Sequence, residues 1–65
     1  MTLPERIKFI REERFQDLND WERDFIQDIY DSMTAAGEVT EEEVKEFFTR
    51  RQVEKVNEIW ENLGL

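Results

Sequence analysis

Cysteine and histidine are both absent from this 65-residue sequence. There is accordingly no disulfide framework, no thiolate nucleophile and no conventional zinc or haem site. Gly37, Gly64 and Pro4 are the whole inventory of glycine and proline, and no Asn-Gly or Asp-Gly pair signals a hairpin. Apolar runs stop at two or three residues, too short for a membrane span or the core of a signal peptide. No Gly-rich phosphate loop is present. Basic residues are scarce: nine Lys and Arg stand against seventeen Asp and Glu, leaving a formal charge of -8 and a pI near 4.4. That balance argues against direct binding to nucleic acid, because phosphate affinity comes from Lys and Arg.

What is present is a pattern of helix starts. At 38% hydrophobic and 12% aromatic residues, the chain is too apolar for a disordered acidic tail. In a capping box, a Ser, Thr, Asn or Asp side chain accepts a backbone N–H while Glu or Gln three residues on reaches back. Thr2 with Glu5, Asn19 with Glu22, Thr40 with Glu43 and Thr49 with Gln52 all fit. Val39 with Val44 and Phe48 with Val53 add hydrophobic staples at the last two. These signals predict helices over 3–15, 20–36, 41–48 and 50–63, with Gly37 ending the second and Thr49 the least certain boundary, since helices three and four could run on as one. At about 100° per residue, Trp21, Phe25, Ile26, Ile29, Tyr30 and Met33 share one arc of the second helix. Val53, Val56, Ile59, Trp60 and Leu63 make a narrower seam on the fourth. The expected fold is all-α, a compact bundle of three to four short helices forming a single domain over 1–65. Trp21, Phe25, Ile29, Phe47, Val56 and Trp60 are its expected core.

Several features could carry function. Asp17, Asp20, Asp24, Asp28 and Asp31 are spaced to form one stripe opposite the apolar arc, and Glu54, Glu58 and Glu61 form another. Five charges over fourteen residues at about 1.5 Å each give one per roughly 4 Å, close to the spacing of phosphates along one DNA strand. A second stripe nearby would resemble a duplex; otherwise the stripes are a solvated face that keeps a small protein soluble. Phe9 falls off the apolar face of the first helix, should be at least partly exposed, and is an expected anchor for a partner. Glu22, beside Trp21, is explained by its capping box without chemistry. Arg11 and Arg14 lie where long stems cover the core while the heads reach a carboxylate. The stretch 32–43 has Gly37 and Glu43 placed as in a calcium loop. Its first, third and fifth places, however, are Ser32, Thr34 and Ala36, which removes the ligand charge. Ser32 is the lone serine, and a bundle this small offers no deep cleft to shift a carboxylate's pKa. The expectation is a non-enzyme without cofactor or metal.

The order Leu18-Asn19-Asp20-Trp21-Glu22-Arg23-Asp24-Phe25-Ile26, followed by Thr49-Arg50-Arg51-Gln52-Val53, Val56, Ile59 and Trp60, resembles a small helical module. That module occurs in short phage proteins and at the ends of phage and bacterial proteins of DNA replication, repair and recombination. Its pattern is Leu-x-x-Trp-Glu-x-x-Phe, then Leu-Ser or Thr-x-x-Gln, then apolar residues closing on Ile-Tyr or Ile-Trp. The likeness covers a little over half the chain, and the spacer from Thr34 to Phe48 is longer here. It implies a phage or bacterial, DNA-related setting. The expected function is a cytoplasmic protein-interaction module or regulator. Its partner would be a protein, such as a nucleic-acid-processing enzyme or a second copy of the chain, bound through Phe9 or the acidic stripes. The alternative is a DNA-mimic inhibitor whose acidic faces occupy a nucleic-acid site. With so much like charge, added salt is expected to raise the melting temperature by screening self-repulsion. A melting temperature that drops between low and moderate salt would contradict this.

Overall fold

Helices begin at all four capping boxes. The computed structural model describes residues 1–37 and 40–65. Within it α1 spans Leu3–Glu13, α2 Asp20–Ala35, α3 Glu41–Phe47 and α4 Arg50–Asn62. Thr2, Asn19, Thr40 and Thr49 each accept the backbone N–H three residues on. The side chains of Glu5, Glu22, Glu43 and Gln52 accept the cap N–H in return. Each cap contributes about 1 kcal/mol, a large share for helices as short as these. The described residues contain no strand, and the fold is an all-α bundle.

The boundaries refine the sequence reading. α1 ends at Glu13, and a 3-10 turn covers Phe15–Asp17. This break lets Leu18, extended at φ -88 and ψ 152, turn into the core. Arg23 stabilises the break by donating from Nε to the Phe15 carbonyl (3.3 Å) and from Nη2 to the Gln16 carbonyl (3.0 Å). Gly37 takes φ +87 after α2, where a left-handed residue closes the helix at little cost to glycine. Phe48 and Thr49 are both extended, so α3 and α4 are separate helices. The Val39–Val44 staple lies outside the described residues. Of the other staple, Phe48 belongs to the core cluster and Val53 packs against it, partly buried.

α1 is the centre of the bundle, and α2, α3 and α4 all pack against it. Its Leu3, Ile7 and Ile10 meet Leu18, Ile26, Ile29 and Met33 on one side. On the other they meet Val44, Phe48, Val56 and Ile59. Phe25 and Trp60 are half-buried at the margin of this cluster. Two expected core residues are not in it. Trp21 is 57% exposed and Phe47 63% exposed. Trp21 stands about 100° around α2 from the Ile26–Ile29–Met33 centre, at the edge of the arc. Phe47 loses the core seat to its neighbour: Val44 and Phe48, four residues apart, turn inward together, and Phe47 points out with its ring edge-on to Phe48 (5.4 Å between centroids).

These placements give opposite expectations for two large side chains. Ile59 is fully buried, so Ile59→Ala should cost roughly 2–5 kcal/mol, enough to unfold much of the population. Phe47→Ala should cost less than about 1 kcal/mol. Urea denaturation of the two variants checks this. Comparable losses at both positions would overturn the assignment of core and surface.

Candidate functional site

The exposed end of α2 builds the site. Trp21 and Phe25, one helical turn apart, stack with centroids 5.4 Å apart and planes 6° from parallel. From α4, Lys55 lays its Nζ 4.9 Å from the centre of the Trp21 ring, an attraction between cation and ring quadrupole. Its ammonium also donates to Glu58 Oε1 (3.2 Å). Trp21, Phe25, Arg51, Gln52 and Lys55 together line an open groove of about 320 Å³ between the start of α2 and the first half of α4. Gln52 is held there by its own capping bond to the Thr49 N–H (2.8 Å). Arg51 is exposed and has no hydrogen bond or ion pair among the described residues. The surface offers aromatic faces and positive charge, which suits binding of apolar and anionic groups.

A larger groove, about 450 Å³, runs between α1 and the end of α2 and includes Pro4, Tyr30, Met33 and Gly37.

The acidic residues singled out from the sequence are all exposed, and five of the eight have a partner within the chain. Asp17 sits on the 3-10 turn, out of phase with α2, and accepts from Arg14 Nε (2.6 Å). Asp20 pairs with Arg23 (3.7 Å) and Asp31 accepts from the Gln27 amide (2.8 Å). Glu54 pairs with Arg50 (3.1 Å) and Glu58 with Lys55 (3.2 Å). Asp24, Asp28 and Glu61 have no ion pair or hydrogen bond among the described residues. The groove of Trp21, Phe25, Arg51 and Lys55 is lined by none of these carboxylates. Phe9 is half-buried and so partly exposed, its ring edge-on to Trp60 at 5.8 Å.

The arginines serve the fold. Arg11 donates to the Gln27 side chain (2.7 Å), an amide where the sequence suggested a carboxylate, and stacks 4.4 Å from the centre of Phe15. Arg6 donates to Asn57 Oδ1 (3.0 Å) and lies over Trp60. Glu5 has its carboxyl held below the usual carboxylate range by hydrogen bonds from the Thr2 hydroxyl and backbone N–H, a consequence of capping. Among the described residues no group of three or more acidic side chains is placed to hold a metal ion, and no helix is long and apolar enough to cross a membrane.

Fold and surface together define a small acidic all-α bundle bearing an aromatic-cationic groove. Comparison with protein-family models, with curated proteins and with solved structures finds no significant match.

The groove was missed from sequence because Trp21 was assigned to the core; its position at the edge of the arc was the available signal. Trp21 should account for most of the tryptophan fluorescence that acrylamide can quench, Trp60 being half-buried. Quenching of Trp21→Phe and Trp60→Phe variants checks this. Loss of the quenchable signal in Trp60→Phe instead would place the wrong tryptophan at the surface.

Proposed function

We propose that this chain is a non-catalytic protein-interaction module, acting in the cytoplasm as a binding partner or regulator in phage or bacterial DNA metabolism. One observation carries the reading. In a domain with a thin core, two large aromatics are stacked at the surface beside Arg51 and Lys55, with Trp21 57% exposed. Aromatic anchors with a charged rim are what protein interfaces use for most of their binding energy. The setting rests on the likeness of the Trp21-Glu22-x-x-Phe25 and Thr49-x-x-Gln52 segments to modules of DNA replication and recombination proteins.

DNA mimicry draws on the exposure of Asp24, Asp28 and Glu61. It is the weaker reading, because Asp17, Asp20, Glu54 and Glu58 are each paired with a cation of the same chain.

Affinity purification with wild type and two variants separates these readings. Trp21→Ala should lose at least about tenfold of the co-purifying protein, as expected of an anchor residue. A variant with Asp20, Asp31 and Glu61 changed to their amides should keep it. If this amide variant loses the partner, Trp21→Ala retains it and duplex DNA competes, mimicry replaces the interaction-module reading.

A further inference from the structure

The surface around the groove carries both signs of charge in a definite order. Arg51 and Lys55 lie on its α4 side. Trp21 and Phe25 form the middle. Asp24 and Asp28 stand within about 60° of Trp21 around α2, line no part of the groove, and sit on the flank turned away from the core. Across the groove and onto that flank the order is cation, aromatic, carboxylate, while on α4 Glu54 and Glu58 are paired with Arg50 and Lys55. Arg51, Asp24 and Asp28 have no ion pair among the described residues.

We infer that the groove is a self-association surface, and that its occupant is a second copy of this chain. This rests on the interaction-module reading and names its partner. A partner of one charge sign would be repelled by one flank of the face. A copy related by a two-fold axis running along the aromatic seam meets no such conflict. That rotation brings Trp21 and Phe25 onto their symmetry mates. It also sets Arg51 and Lys55 of each copy against Asp24 and Asp28 of the other. Such self-complementarity is what an isologous interface requires. Covering Trp21 also removes the largest exposed aromatic surface from water, a favourable term that a thin-cored domain lacks internally.

Sedimentation equilibrium on the full chain tests the assignment. Wild type should pass from 8.0 kDa to twice that mass with rising concentration, below a ceiling of about 1 mM. The variants D24K/D28K and R51E/K55E, each confirmed as folded by circular dichroism, should each associate at least about tenfold more weakly. An equimolar mixture of the two should recover a dimer, because every reversed charge then faces a reversed partner. Three results would overturn the inference: a wild type that stays monomeric to that ceiling, a dimer that neither variant weakens, or variants that fail to complement each other. The broader reading fails separately. With a monomeric wild type, loss of a co-purifying protein in Trp21→Ala leaves the groove as an interaction site for another chain, whereas an unchanged set of co-purifying proteins removes both.

Discussion

Burial of one helix face holds the bundle together: Leu3, Ile7 and Ile10 on α1, with both isoleucines fully removed from water. Each such side chain contributes roughly 1.5–3 kcal/mol when buried. Because α2, α3 and α4 all lean on α1, no other helix could be released without exposing this stripe. The polar links radiate from the same helix and its end. Arg6 reaches Asn57 on α4, Arg11 reaches Gln27 on α2, and Arg14 donates to the Leu63 carbonyl just past α4 (3.3 Å). In a 65-residue chain, where little surface can be buried, one central helix serving three neighbours is an economical solution.

That use of arginine shapes the surface. Arg6, Arg11, Arg14 and Arg23 are turned toward carbonyls, amides, aromatic rings and nearby aspartates of their own fold. Their positive charge is therefore spread along seams instead of gathered into a patch. Glu41, Glu42 and Glu43 meanwhile sit in the first turn of α3, where the helix dipole favours them. The groove at Arg51 and Lys55 is then the place where cations meet exposed aromatic rings, and its contrast with the acidic faces of α2 and α4 follows from where the other arginines are committed.

Local signals were legible in the sequence. A capping box is an interaction between residues three apart, so Thr2, Asn19, Thr40 and Thr49 could be read with no knowledge of the fold. The buried positions Ile7, Ile10, Ile26, Ile29, Val56 and Ile59 follow from helical periodicity, which needs only the helix to exist. The site was not legible in this way. Whether Trp21 is covered depends on how α4 crosses α2, and Trp21 and Lys55 are 34 residues apart in sequence. The exposure of Phe9 is set in the same way: it lies off the apolar face of α1, and Trp60 arrives from α4 to cover part of it. Residues at the edge of an apolar arc are decided by the neighbouring helix, and edge residues are the ones that build grooves.

The exposed aromatics also bear on how stability and interaction trade against each other. Phe48 rather than Phe47 fills the core seat beside Val44, and Ile26 rather than Trp21 takes the fully buried position on α2. Both choices leave the bulkier or spare ring outside. A polar residue at Trp21 would cost the core little, since the indole touches its margin through Phe25, meets the Lys55 ammonium and is otherwise largely exposed. Packing alone thus gives weak reason for tryptophan at this position. The ring stays useful if its outer face is covered by something the isolated bundle does not supply. The neighbouring charges then determine what can fit there, because Arg51 and Lys55 on one side and Asp24 and Asp28 on the other admit a surface patterned in the reverse order far better than one of uniform sign.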